Sequence, residues 1–192
     1  MTGANEFDLL ASLVGYPGEQ YLSKAVFCVE MLAESDPEAA VPLSEFLEQT
    51  RRSSLEDVQE LYAATFDLDP ACSLEVGWHL FGENYERGEF LVKMRGELRR
   101  LGVAESAELP DHLTHALAAF GRMEPQEAAD FATACLFPAL DKMRAALKGK
   151  SNPFENVLLA AGRVLEHRYP RPDPETVPAE PTFRILNSGG RR

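Results

Sequence analysis

The chain is short of positive charge, has one tryptophan and four histidines, scatters three cysteines and contains no long apolar run. Each shortage excludes something. With 19 Lys+Arg against 31 Asp+Glu the formal charge is −12, so phosphate backbones and anionic lipid surfaces are repelled. A basic peptide suits such a chain better. Cys28, Cys72 and Cys135 are odd in number, far apart and form no C-x-x-C pair. That is the usage of a reducing compartment, with thiols serving as small core residues. The opening stretch, MTGANEFDLLASLVGYPGEQ, has no basic region ahead of its apolar run, which Asp8 breaks, so it does not read as a signal peptide. Nowhere are there enough consecutive apolar residues to span a bilayer. The expectation is a cytoplasmic protein with neither nucleic acid nor direct membrane insertion among its partners.

What the sequence does have is helical periodicity. Leu9, Leu10, Leu13 and Val14 give a short amphipathic segment from Asn5 that stops at Gly15-Tyr16-Pro17-Gly18. Tyr21, Leu22, Ala25, Val26, Val29 and Leu32 keep helical spacing to Ser35-Asp36-Pro37, which ends one helix and caps the next. Ser53 with Glu56 matches a capping box, ahead of a face made by Leu55, Val58, Leu61, Tyr62 and Phe66. A short helix is expected over Leu74 to Phe81, ending at Gly82, and a longer one through Phe90, Met94 and Leu98, ending at Gly102. Pro110 suits the first turn of a helix through Leu113, Leu117 and Phe120. Pro125 opens the next, which Pro138 should kink, and Asn152-Pro153 caps a last helix to Leu165. No segment alternates with period two. The reading is an all-α bundle, one domain or one with two lobes, over residues 1–169. Residues 170–192 hold five of the 13 prolines and read as a mobile tail.

Little of the polar inventory forms a catalytic pattern. His79 and Glu83 are four apart, and His112 and His115 three apart, so each pair would share a face of a continuous helix. A metal-binding helical enzyme using those four residues is one alternative, although neither H-E-x-x-H nor a Glu-x-x-His pair is present. A generic helical scaffold or regulatory module is another. Gly149-Lys150-Ser151 resembles the end of a phosphate-binding loop, but Arg144 stands where the first glycine is required and a helix precedes it in place of a strand. Asp111 at a helix start is favoured by the dipole.

Taken together, several stretches carry a resemblance. Tyr62-x-x-Thr65-Phe66-Asp67-Leu68, Ser73-Leu74, His79-x-x-Gly82-Glu83, Arg87-Gly88, Glu108-Leu109-Pro110-Asp111-His112-Leu113 and Asn152-Pro153-Phe154 resemble the nitrate reductase assembly chaperones. These are the delta-subunit, or NarJ, branch of the TorD/DmsD family of molybdoenzyme maturation chaperones. The likeness runs from about Leu10 to Leu165. It implies a TorD-like helical bundle that is not an enzyme and carries no cofactor or metal of its own. Such proteins bind the N-terminal segment of a molybdopterin oxidoreductase catalytic subunit. They hold it while the molybdenum cofactor and iron–sulfur clusters are inserted, before membrane attachment or export. The client-binding residues it implies are Glu108, Pro110, Asp111 and His112, followed by Tyr62, Phe66, His79 and Glu83. One departure stands out: Thr114 occupies a position where these chaperones often have proline, so the client's identity stays open.

Physical chemistry fits that implication. A basic leader helix would lay apolar side chains against walls such as Tyr62, Phe66, Trp78 and Phe81, and its cations against Asp67, Glu83, Glu86 and Glu89. On this reading the chain is a monomer or weak dimer. Asp111 and His112 would contribute only a helix cap to the fold, and His112 would titrate in the usual window of about pH 5.5–7.5.

Overall fold

The structure, a computed structural model, describes residues 5–171. Among these, ten α-helices, two π-helical turns and one 3-10 turn follow one another with no strand. The expected all-α architecture is what forms. The helices are α1 (Glu6–Leu13), α2 (Tyr21–Ser35), α3 (Pro37–Thr50), α4 (Leu55–Tyr62), α5 (Val76–Phe81), α6 (Tyr85–Arg100), α7 (Leu113–Phe120), α8 (Pro125–Phe131), α9 (Phe137–Leu147) and α10 (Phe154–Arg168). No helix among the described residues is long and apolar enough to cross a membrane.

Local chemistry sets the element boundaries. Asn5 starts α1 by accepting the Asp8 N–H at 2.8 Å, and its amide also donates to the Gly121 carbonyl at 3.0 Å, which ties α1 to the end of α7. Asp36 alone joins α2 to α3, accepting from the Ala39 N–H at 3.2 Å while Pro37 takes the first helical position. The capping box of α4 sits one residue later than the sequence suggested. Ser54 and Asp57 form it, not Ser53 and Glu56. Helix α5 begins at Val76, two residues later than expected, and Gly82 ends it with a φ of 60°, a left-handed conformation that favours glycine. Because the helix breaks there, His79 and Glu83 do not share a helical face. Helix α7 begins at Leu113, so Pro110 stands in the preceding turn.

Two π-helical turns depart from the helical spacing expected of the sequence. In the first, Ala63–Asp67, the Thr65 hydroxyl donates back to the Leu61 carbonyl at 2.6 Å and accepts from the Asn152 amide at 2.7 Å. In the second, Ala132–Leu136, the widened turn immediately precedes Pro138, which has no N–H to return to the chain. The break expected at Pro138 therefore takes the form of a π-turn before α9.

One hydrophobic core collects side chains from every helix except part of α6. Helix α10 is its spine: Phe154, Val157, Leu158, Ala161, Val164 and Leu165 are buried, and it packs chiefly on α3 and α9. Phe154 stacks against Tyr62 and Phe66 with ring centroids 5.6 and 5.2 Å apart. All three cysteines are buried and free, and burial pushes the Cys28 and Cys135 thiols up to about 12. The tail read from the sequence lies outside the described residues apart from Pro170 and Arg171. Arg171 is not loose: its guanidinium grips Asp141 at 2.7 and 2.8 Å and stacks over the Phe137 ring at 4.5 Å.

Candidate functional site

The Pro110-Asp111-His112 run forms the hinge of a small cross-chain knot. The Val76 N–H donates to the Asp111 carbonyl at 3.0 Å and the Leu113 N–H to the Leu74 carbonyl at 2.8 Å, so Glu75 and His112 face each other in an antiparallel bridge. Asp111 is fully buried, and its carboxylate accepts from the Gly77 N–H at 2.8 Å. It thus caps α5 from a distance. Burial raises its pKa above the ordinary carboxyl range, against the Gly77 N–H and the Arg87 charge, which both favour the ionised form. Its second oxygen has no hydrogen-bond partner among the described residues. Arg87 lies over the Trp78 ring, 5.4 Å from the centroid, while the Trp78 indole donates to the Pro70 carbonyl at 2.8 Å.

Only glycine fits at position 77. A Cβ there would lie 2.7 Å from the Asp111 carboxylate and 2.8 Å from the Phe90 ring. Neither Gly77 nor Arg87 was singled out from the sequence as part of this knot. The signals available are a glycine inside a helical pattern and, for Arg87, its place in the Arg87-Gly88 pair of the resemblance.

The histidines hold backbone. His112 Nδ1 accepts from the Thr114 N–H at 3.2 Å, lies 2.8 Å from the Thr114 hydroxyl, and so caps α7. Burial, with the neighbouring His115, lowers its pKa to about 4, so it is neutral throughout the window in which an exposed histidine titrates. His115 donates from Nδ1 to the Leu109 carbonyl at 2.8 Å and accepts from the Ser106 N–H at Nε2, 3.0 Å away, stapling the loop that leads into the knot. His79 Nε2 donates to the Ser73 carbonyl at 2.6 Å, and burial lowers its pKa too. His79, Glu83, His112 and His115 are not drawn into one ligand set: among the described residues no group of three or more His, Cys, Asp or Glu is placed to hold a metal.

The residues named from the sequence divide by depth. Pro110, Asp111, His112, Tyr62, Phe66 and His79 are buried, while Glu108 and Glu83 are exposed. Asp111 and His112 are therefore structural joints rather than a light surface cap. Tyr62 donates to the Val14 carbonyl at 3.2 Å and packs edge-on against Phe66, 5.0 Å away. Burial raises its phenol pKa, and the carboxylates of Glu108, Asp67 and Glu75 raise it further. Three acids from three segments thus act electrostatically on one buried phenol. Outside Tyr62 lies Tyr16, 56% exposed with its ring centroid 5.4 Å away, and next to Glu108 stands Leu109, 42% exposed. Tyr16 is a component that the sequence did not single out, because its side chain meets Tyr62 only in the fold.

Comparison with known proteins gives the same region a family. The chain is 28% identical to the nitrate reductase molybdenum cofactor assembly chaperone NarJ of Escherichia coli K12, over 132 residues that make up 65% of this chain and 55% of the relative. The NarJ of Escherichia coli O157:H7 matches to the same extent. The chain thus spans about half the length of these curated relatives. The model of the nitrate reductase delta subunit family matches residues 30–158, which include the π-turn of Thr65, the Glu75–His112 bridge and the remote cap. With two thirds of its length matched in one continuous block, the chain belongs to the nitrate reductase delta subunit family.

Proposed function

We propose that the chain is a molybdoenzyme maturation chaperone, not an enzyme, which works in the cytoplasm. It holds the basic N-terminal segment of a molybdopterin oxidoreductase catalytic subunit, with a nitrate reductase as the client class its relatives suggest. It keeps that subunit from membrane attachment or export until molybdenum cofactor and iron–sulfur clusters are in place. The observation that carries the reading is the exposed Tyr16 ring set edge-on against buried Tyr62, a phenol that feels the charges of Glu108, Asp67 and Glu75. An amphipathic leader would set apolar side chains on Tyr16 and Leu109 and its cations among those carboxylates. Buried Pro110, Asp111 and His112 fix the loop that carries Glu108. Tyr62 and Phe66 form the floor, and His79 and Glu83 belong to the neighbouring α5 turn. Asp111, His112 and His115 already hold backbone segments, which suits a surface that binds more than one that moves protons.

Isothermal titration with a synthetic leader peptide of the partner subunit tests this. Glu108→Lys should weaken binding roughly three- to fivefold at low salt, and the difference should shrink at high salt, as for any rim charge. Leu109→Ser should weaken it at both salt concentrations. Affinity should not follow His112 between about pH 5.5 and 7.5, since that residue stays neutral there. Unchanged affinity in both variants would remove the client from this surface.

A further inference from the structure

We infer that the outer face of α6 is a self-association surface, on which two copies of this chain dock antiparallel about a two-fold axis at Val92. The three most exposed large apolar side chains among the described residues are Tyr85, Leu68 and Val92, and two of them lie on this helix. Tyr85 (80% exposed) and Val92 (73% exposed) are seven residues apart, two helical turns, so they project from one face. Gly88, Glu89, Arg95, Gly96 and Arg99 of the same face are exposed as well among the described residues.

The charges along it are self-complementary. Glu89 lies toward the N-terminal end and Arg95 and Arg99 toward the C-terminal end, all exposed. Antiparallel pairing centred on Val92 sets Glu89 opposite Arg95 of the other copy and Tyr85 opposite Arg99, a cation over a phenol ring. It also opposes the two helix dipoles favourably. Parallel pairing would put Glu89 on Glu89 and Arg95 on Arg95. Within its own chain Arg95 meets Glu105 at 2.8 Å, but both side chains are partly exposed, so that pair is weak competition.

The glycines on the face supply an independent argument. In the same register Gly88 falls opposite Gly96. A Cβ at either position would meet nothing within 4 Å, so the fold itself does not ask for glycine there. Each weakens the helix relative to alanine. A second backbone lying close against α6 is the arrangement that uses both. The contact is one 16-residue helix long, about 24 Å, and so falls below the size of a standard interface. The dimer is accordingly weak and forms at high concentration.

Sedimentation of the full chain from roughly 10 μM to about 1 mM should show the weight-average coefficient rising toward that of a dimer. Val92→Cys should cross-link to its own copy under mild oxidation, with the three native cysteines buried. Glu89→Arg and Arg95→Glu should each abolish the concentration dependence, and the double exchange should restore it. Gly88→Ala with Gly96→Ala should raise the melting temperature while losing the dimer, a combination that damage to the fold would not produce. Sedimentation as a monomer at every concentration would overturn the proposal. So would a dimer that survives both single reversals, or a double exchange that fails to recover it.

Discussion

Helices α4 and α5 begin in opposite ways. The start of α4 is closed from within: the Ser54 hydroxyl accepts from the Asp57 N–H at 3.1 Å and the Asp57 carboxylate from the Ser54 N–H at 2.8 Å. Helix α5 has no side-chain cap of its own at Glu75 and borrows the Asp111 carboxylate from 34 residues further along. The same group meets the same need, yet its surroundings invert its titration. The backbone and side chain of Ser54 hold Asp57, fully exposed, below the usual carboxyl range. Burial holds Asp111 above it. A local cap stabilises one helix, whereas a borrowed cap makes the start of one helix conditional on the start of another.

The sharpest way to break this comparison is Gly77→Ala. Its methyl would overlap the Asp111 carboxylate and the Phe90 ring, and the cap would go with it, so urea unfolding should show a loss of about 2–4 kcal/mol. Asp111→Ala should cost about 1–3 kcal/mol by orphaning the Gly77 N–H. In that background the added cost of Gly77→Ala should shrink, because the carboxylate it strikes is gone. Additive losses would mean that Phe90 alone sets the requirement for glycine. Ser54→Ala, by contrast, should cost only about 1 kcal/mol and leave the α5–α7 knot intact.

The smallest effect is one of pH. Asp57 has a depressed folded pKa, so its contribution is present above its unfolded pKa and lost as pH falls through the folded value. Asp111 has a raised folded pKa, so its contribution is fully present below the unfolded pKa and lost as pH rises through the folded one. On acidification below about pH 5, the deficit of Asp57→Asn relative to the native chain should therefore close. The native chain should instead gain on Asp111→Asn. Parallel profiles for the two variants would erase the distinction between the caps.

These contrasts also mark what the sequence made legible. Helix positions followed from apolar spacing, and the stops at Gly82 and Gly102 from their place after it, because both are properties of a few adjacent residues. The α4 cap was misplaced by one residue since Ser53-Ser54 precedes Glu56-Asp57, and either register satisfies the pattern. The Pro110-Asp111-His112 run is visible in the sequence as a motif and a helix start, but nothing in the run tells that the Asp111 carboxylate meets the distant Gly77 N–H. Gly77 and Tyr16 gain their roles only from partners far along the chain, Asp111 and Tyr62, and Arg87 gains its role from the turn that folds α6 back over Trp78. The π-turn at Thr65 likewise depends on Asn152, 87 residues away.

Trp78 is the chain's one tryptophan, anchored by its indole to Pro70, overlaid by Arg87 and adjacent in sequence to Gly77. Its emission therefore has a single origin, at the joint where the borrowed cap closes. Loosening of that joint by a variant, by acid or by a bound peptide would free the indole and move its fluorescence, while melting confined to α2 and α3 would leave it dark to the event. The molecule carries its own gauge of a region whose folding depends on two distant stretches meeting.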